Sequence, residues 1–364
     1  MAKFYYGGQA VIEGVMMRGR TSAAVAIRRP DNSIYLYEEQ LTPRLYQNPI
    51  FRLPFLRGTL LLWETLILGT RLMTLSANIS SGALDPENET TSPDTMENKH
   101  ADTAIDTQAA ESQDERPPAI GGAALAGSLV LSLGLGIGVF FVVPLVITSL
   151  LRQQIGEGWL NLTIEGVIRL ALLLGYLYLI GRVPEIQRVF GYHGAEHKTI
   201  NAMEQGDPLD VAHVRRASRV HTRCGTGFLL LVMVISIFVF ALVGSPSLLI
   251  KFLSRIVLVP AVAGIAYELM RLGAANYRFR VVRWLLAPGL ALQGLTTREP
   301  DDSMIECAIA ALQRVLSRDQ AQSAGKDEKD EFQSLTGLEK NVASALPHEE
   351  QYRDENSKGQ VPMQ

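Results

Sequence analysis

Apolar residues in this chain gather into long unbroken runs, without the alternating or three-and-four spacing of a soluble globule. The stretch 119–151 holds no Asp, Glu, Lys or Arg, and a helix needs about 20 apolar residues to cross a bilayer core. Three further runs follow at 160–181, 227–250 and 252–270. Together they predict four transmembrane helices. Another run, 55–75, is apolar but carries Arg57, Glu64 and Arg71 at intervals of seven, which places all three on one helical face. It predicts an amphipathic helix over 50–78 that lies in the interface or packs on the bundle. The run 281–295 is too short to cross, and Pro288-Gly289 interrupts it, so an interfacial or re-entrant segment is expected.

The polar parts have patterns of their own. Thr21–Arg29 and Ser33–Leu41 read as strands about a Pro30-Asp31-Asn32 turn, and the Gly-punctuated run from Gly7 to Gly19 reads as further strand. A small β element over 1–45 results. The segment 79–118 is acidic and almost free of aromatic residues, and 319–364 is similar. Neither can bury enough apolar surface to offset the entropy of ordering, so both are expected to be disordered. Within 281–318, Thr296-x-x-Glu299 resembles a capping box for a helix over 299–318. Met304, Ile305, Ala308, Ile309, Leu312, Val315 and Leu316 form its apolar stripe, suited to docking on the body or to a homo-oligomer seam. Gly134-x-Gly136-x-Gly138 is expected to permit close helix packing. The fold class is therefore mainly α: a polytopic membrane bundle of about four spans, with a small cytoplasmic β element and a cytoplasmic helical hairpin.

Composition sharpens this. The chain combines 47% hydrophobic with 20% charged residues at a mean hydropathy of +0.12, which requires the two kinds to be segregated. A net charge of -3 gives no reason to expect a nucleic-acid partner. The bilayer is the partner expected. Lys and Arg concentrate before the first span, in 182–226 and after the fourth span. By the positive-inside rule, both termini and the 182–226 loop face the cytoplasm. Residues 1–20 lack the apolar core of a signal peptide.

The 182–226 loop carries the chemistry. It contains His193-Gly194-Ala195-Glu196-His197-Lys198. On a helix, His193 and His197 stand one turn apart and can reach one metal, with Glu196 placed to act as general base on water. His221-Thr222-Arg223-Cys224 follows, and His221 or Cys224 could complete the shell. A His/Cys set suits zinc, or another divalent transition metal, better than Mg or Ca. Gly206 can end the first helix, and Asp207-Pro208 can start a second over 209–220, folding His221 and Cys224 back toward the histidines. His213 falls mid-helix and reads as a surface residue. The competing readings are plain ones: His193 and His197 as caps or lipid-phosphate ligands beside Lys198, and Cys224 as part of a turn. If His193, His197, His221 and Cys224 all ligate, the metal is a staple; if one stays off, a position is open for chemistry.

Three membrane-proximal carboxylates also call for partners. Glu165 and Arg169 are four apart and are expected to neutralise each other. Glu268 has Arg271 three residues on, and Glu64 lies between Arg57 and Arg71.

Four segments in this order resemble the YqhQ-like family: Gly7 to Gly19, Tyr192-His193-Gly194-Ala195-Glu196-His197-Lys198, His221-Thr222-Arg223-Cys224-Gly225-Thr226, and Leu295-Thr296-Thr297-Arg298-Glu299-Pro300. The resemblance covers roughly 4–317 apart from the acidic linker. It implies a bacterial multi-pass inner-membrane protein with metal-dependent enzyme chemistry, and it names no substrate. Carried over by position, the motif residues are Glu13, Arg18, His193, Glu196, His197, Lys198, His221 and Cys224. Thr222 stands where the family pattern has Pro, and Gly227 where it has Ser; neither change removes a candidate ligand.

The leading expectation is a membrane-integral zinc hydrolase at the cytoplasmic face, with Glu196 as base. Glu13, Arg18, Lys198 and Arg223 are its substrate-binding candidates, and a lipid or membrane protein is its substrate. A metal-stapled scaffold and a transporter are the rivals.

Overall fold

The computed structural model describes residues 6–41, 53, 55–83, 122–151, 156, 158–243 and 247–322. Of the stretches expected to be disordered, 79–118 and 319–364, residues 79–80 and 319–322 are instead helical, and 84–118 and 323–364 lie outside the described residues. The chain divides into Met1–Val315 and Leu316–Gln364. Of the second unit only 316–322 is described, and it is helical. All that follows concerns the first unit.

Four strands open the chain: β1 (Gly7–Val11), β2 (Gly14–Arg18), β3 (Ser22–Arg28) and β4 (Ile34–Gln40). They form an antiparallel meander in the order β1-β2-β3-β4. The β3–β4 turn forms where expected, because the Asp31 carboxylate accepts from the Ser33 amide at 2.9 Å and Asn32 takes a left-handed conformation. The β1–β2 turn places Glu13 at φ 52°, an uncommon conformation for a residue with a Cβ.

The helices are α1 (Leu56–Ser80), α2 (Gly122–Ile137), a π segment (Gly138–Val142), α3 (Val143–Leu150), α4 (Trp159–Ile180) and α5 (Pro184–Gln205). They continue with α6 (Val211–Arg216), α7 (Gly225–Val243), α8 (Leu248–Ala275), α9 (Arg280–Thr296) and α10, which starts at 302. By length and composition, five described helices can cross a membrane: Leu56–Ser80, Val130–Leu150, Leu160–Ile180, Gly225–Val243 and Val257–Ala275. This makes a mainly helical multi-pass architecture with one candidate span more than the sequence suggested.

The additional candidate is α1. Its three charges are each taken by another element: Arg57 by Glu268, Glu64 by Arg18, and Arg71 by Glu39. That leaves Trp63, Leu66 and Ile67 exposed on the apolar side. Further along, Leu68, Leu72 and Ile79 pack against Val11, Met16, Val25 and Ile27 of the sheet. The turn at its start sits on α8, where a Cβ at Gly58 would collide with the Tyr267 ring. The part of α1 ahead of its first contacts with the sheet, at Glu64 and Thr65, is 56–63, about 12 Å long at 1.5 Å per residue and short of a ~30 Å hydrocarbon core.

Several local expectations are revised. The segment 281–295 is one continuous helix, α9, with Pro288 inside it. The second helix of the expected hairpin is only Val211–Arg216, and its cap is Asp210, whose side chain accepts from the His213 amide. No helix starts at Glu299. Asp301 caps α10 by accepting from the Met304 amide at 2.9 Å, while Thr296 closes α9. The α10 stripe from Met304 to Val315 is buried as expected. Gly134, Gly136 and Gly138 face open space, so they do not serve close packing among the described residues. Glu268 pairs chiefly with Arg57, at 2.7 and 2.5 Å, with Arg271 at 3.9 Å. The helix start puts Arg57 within bidentate reach, and two parallel hydrogen bonds hold a guanidinium better than one oblique contact.

Glu165 and Arg169 do pair, at 2.9 Å, with both side chains almost fully buried. Arg169 also donates to the Phe140 carbonyl of the π segment at 2.9 Å and lies over the Phe240 ring. A buried charge pair persists when its remaining donors are also satisfied.

Candidate metal centre

The helix α5 begins with Pro184 in its first turn and ends at Gly206, whose φ of 82° closes the helix in the left-handed region. On it, His193 and His197 fall one turn apart with ring centroids 4.4 Å from each other. The helix can lie this deep because Gly194 and Gly191 leave room: a Cβ at Gly194 would strike the Arg298 carbonyl, and one at Gly191 would strike the Met304 sulfur. The Arg298 amide donates to the Phe190 carbonyl at 2.8 Å, which locks the 297–301 strap onto α5.

Both imidazoles are oriented from behind by carbonyls. His193 Nδ1 lies 2.8 Å from the Thr296 oxygen, and His197 Nδ1 lies 2.5 Å from the Arg219 oxygen. A carbonyl only accepts, so each Nδ1 carries a proton, and in the neutral ring Nε2 is then the nitrogen with a lone pair to offer. His193 Nε2 is 3.4 Å from Cys224 Sγ. His197 Nε2 is buried with no hydrogen-bond partner among the described residues. The candidate ligand atoms of His193, His197 and Cys224 all lie within 4.8 Å of one another. Ligands held at zinc distances of about 2.0–2.3 Å in a tetrahedron sit roughly 3.3–3.8 Å apart, so this set needs only small adjustment to hold one ion. Cys224 stands at the start of α7 and receives the Thr226 amide on its sulfur at 3.4 Å.

Glu196 sits beside the three without joining them. Its carboxylate is 3.9 Å from His193 Nε2 and 3.8 Å from His197 Nε2, outside the mutually close group. The residue is 5% exposed. Burial raises its pKa to about 7, against the lowering effects of His193 and of a hydrogen bond from the Gly8 amide. Gly8 has no side chain because none fits: a Cβ would lie 2.7 Å from Glu196 Cγ and 2.6 Å from the Met16 carbonyl.

His221, expected as an alternative ligand, lies outside the cluster. Its backbone is clamped by Gln293, which accepts from the His221 amide at 2.9 Å and donates to its carbonyl at 2.7 Å. Its Nε2 faces the Arg223 guanidinium at 3.3 Å. Burial, then Arg223, push its pKa down to about 3. In the unfolded chain the same histidine titrates near 6.5. The folded pKa is depressed, so His221 contributes stability that is present above pH ~6.5 and is lost as pH falls toward 3. Thermal unfolding of detergent-purified protein should therefore show a stability that declines by up to about 1.4 kcal/mol per pH unit below 6.5. His221→Gln should flatten that slope, and an unchanged slope would count against this assignment.

The four substrate-binding candidates all have protein partners. Glu13 binds Arg188 and Tyr192. Arg18 binds Glu64. Lys198 binds Glu299 and the Arg215 carbonyl. Arg223 pairs with Glu204. Glu13 and Arg18 thereby join the sheet to α5 and α1. His213 bonds Asp210 at the surface, as expected for a non-ligand.

Sequence reading missed Gly8, Gln293 and the Thr296 and Arg219 carbonyls. Gln293 left a signal as a lone polar residue in an apolar segment, and Gly8 as one of two adjacent glycines. The carbonyls left none, since residue type does not encode a backbone acceptor.

The fold and the cluster define a multi-pass membrane protein with a candidate divalent-metal site at the base of its bundle. The chain belongs to the family described as "Protein of unknown function (DUF1385)", whose model matches residues 53–318. It is 37% identical over 317 residues to the "Uncharacterized protein YqhQ" of Bacillus subtilis (strain 168), across 85% of this chain and 92% of that protein. These matches and the apolar helices make it a bacterial membrane protein. No solved structure matches.

Proposed function

We propose that this protein is a membrane-integral, zinc-dependent enzyme of hydrolytic type. The observation that carries the proposal is the convergence of three ligand atoms, one of them the orphaned Nε2 of buried His197, beside a carboxylate that is not itself in the shell. Two imidazoles and one thiolate form a borderline-soft set suited to zinc. Three protein ligands leave a fourth position, the arrangement of catalytic sites. When bound, zinc supplies Lewis acidity and makes water nucleophilic near neutral pH. The protein's part is then assigned as follows. His193 and His197 hold the ion through tautomers set by Thr296 and Arg219. Glu196, with a pKa near the working pH, takes a proton at its free carboxylate oxygen while the Gly8 amide holds the group in place. The Lys and Arg bias of 182–226 supports a cytoplasmic placement of the site, and its position at the end of membrane helices suits a lipid or membrane-protein substrate.

The scaffold reading keeps the metal and removes the role of Glu196. The transporter reading would rest on Glu165 and Arg169, which are bonded to each other.

Thiolate ligation has a direct spectroscopic test. Cobalt-substituted protein is expected to show a thiolate-to-cobalt charge-transfer band that Cys224→Ser abolishes and His221→Gln leaves in place. A band that survives Cys224→Ser would remove Cys224 from the shell.

A further inference from the structure

The helix α9 has two different halves. Its last turns are buried and hold the centre through Gln293 and Thr296. Its first half is open. Leu286 packs on Gly273 of α8, and on the other side Arg280, Arg283, Trp284 and Leu285 are exposed, with Trp284 at 76%. Arg280 and Trp284 are one turn apart on the outward face. In the turn before the helix, Arg278 stacks over the exposed Phe279 ring, 4.7 Å from its centroid.

The arginines here differ from those elsewhere. Arg18, Arg57, Arg188 and Arg219 each meet a carboxylate. Among the described residues, Arg278, Arg280 and Arg283 meet none. Three cations within six residues, none with a carboxylate partner among the described residues, therefore stand among exposed aromatic and aliphatic side chains. The patch begins three positions beyond Ala275, where the candidate span Val257–Ala275 ends. That is the depth at which a chain leaving a bilayer meets headgroups. Tryptophan favours this layer because its ring is apolar and its N–H is polar. A soluble acidic partner would account for the arginines but would leave Trp284, Leu285 and Val281 in water.

We infer that the first half of α9, with the turn before it, is a binding surface for anionic phospholipid headgroups in the leaflet where α8 ends. Arg278, Arg280 and Arg283 pair with lipid phosphates and acidic headgroups, and Trp284 and Leu285 insert at the level of the acyl carbonyls. Each basic residue near such a surface is worth roughly a five-fold preference for anionic over zwitterionic lipid, weakened by salt. The surface is independent of the metal reading, because the arginines touch none of the proposed ligands.

The test uses full-length protein whose only tryptophan is Trp284, made by Trp63→Phe and Trp159→Phe, in nanodiscs of mixed phosphatidylglycerol and phosphatidylcholine. Bromine is placed on the chains of one lipid at a time. Quenching of Trp284 at low salt is expected to be at least two-fold stronger with brominated phosphatidylglycerol than with brominated phosphatidylcholine. Arg280→Gln with Arg283→Gln should bring the two toward equality, and 1 M salt should do the same. Equal quenching by both lipids with the arginines intact would overturn the proposal, as would no quenching by either. Metal content, read on the same samples, should be unchanged by the arginine substitutions.

Discussion

His197→Ala is expected to empty the centre: detergent-purified protein should carry close to one zinc per chain, and the variant almost none. Of the three proposed ligands, His197 has the least freedom. It is 1% exposed, its Nδ1 is fixed by the Arg219 carbonyl, and its Nε2 has no hydrogen-bond partner among the described residues. A buried ring nitrogen without a partner is costly, and a bound cation removes that cost. Loss of an orienting partner alone weakens metal sites 10–100-fold, so loss of a ligand should cost more than about 100-fold in affinity. A metal present at 100 times its dissociation constant stabilises a protein by about 2.7 kcal/mol. The melting temperature of the native protein should therefore fall on chelation, whereas that of the variant should not respond to chelator. Metal-free native protein whose melting ignores added zinc would end the metal reading.

The second large effect separates catalysis from stapling. Glu196→Gln should keep the metal and the melting temperature of the holo-protein and lose about 10²–10⁴-fold in turnover, the range supplied by a positioned general base. The substitution is close to isosteric, and its side-chain oxygen can still accept from the Gly8 amide. What it removes is the ability to take a proton. Because the carboxylate stands 3.8–3.9 Å from both Nε2 atoms, it is close enough to act on water at a metal yet outside the three-atom cluster. A silent Glu196→Gln alongside a metal-free His197→Ala would favour the scaffold reading instead.

The chemistry at the centre was partly legible from spacing alone. His193 and His197 are four apart, and helix geometry by itself puts them on one face. Cys224 and His221 were equivalent by the same reasoning. The choice between them is made elsewhere: Gln293, 72 positions from His221, clamps its backbone, while the start of α7 sets Cys224 against His193. Glu268 shows the same limit. Arg271 is its neighbour along the helix, but Arg57, 211 positions away, makes the bidentate contact. The capping box at Thr296 and Glu299 fails for a related reason. Those residues are recruited by His193 and by Lys198 with Arg219, so the cap passes to Asp301.

The sequence by itself determined what local physics settles: the apolar spans, the β3–β4 turn, the one-turn histidine pair and the buried stripe of α10. Each depends on residues within a few turns of one another, and a bilayer imposes its length requirement on each helix separately. Tertiary structure alone decided that Cys224 stands with the histidine pair, which carbonyls orient the imidazoles, and how the Gly8 strand presses on Glu196. It also decided that α1 divides its length between the sheet and the bundle. These rest on backbone acceptors and side chains brought together across 22 to 213 positions of chain, as when the Arg219 carbonyl meets His197 and the Phe55 amide meets Glu268. No local pattern encodes such meetings, because what selects them is the close packing of the whole fold.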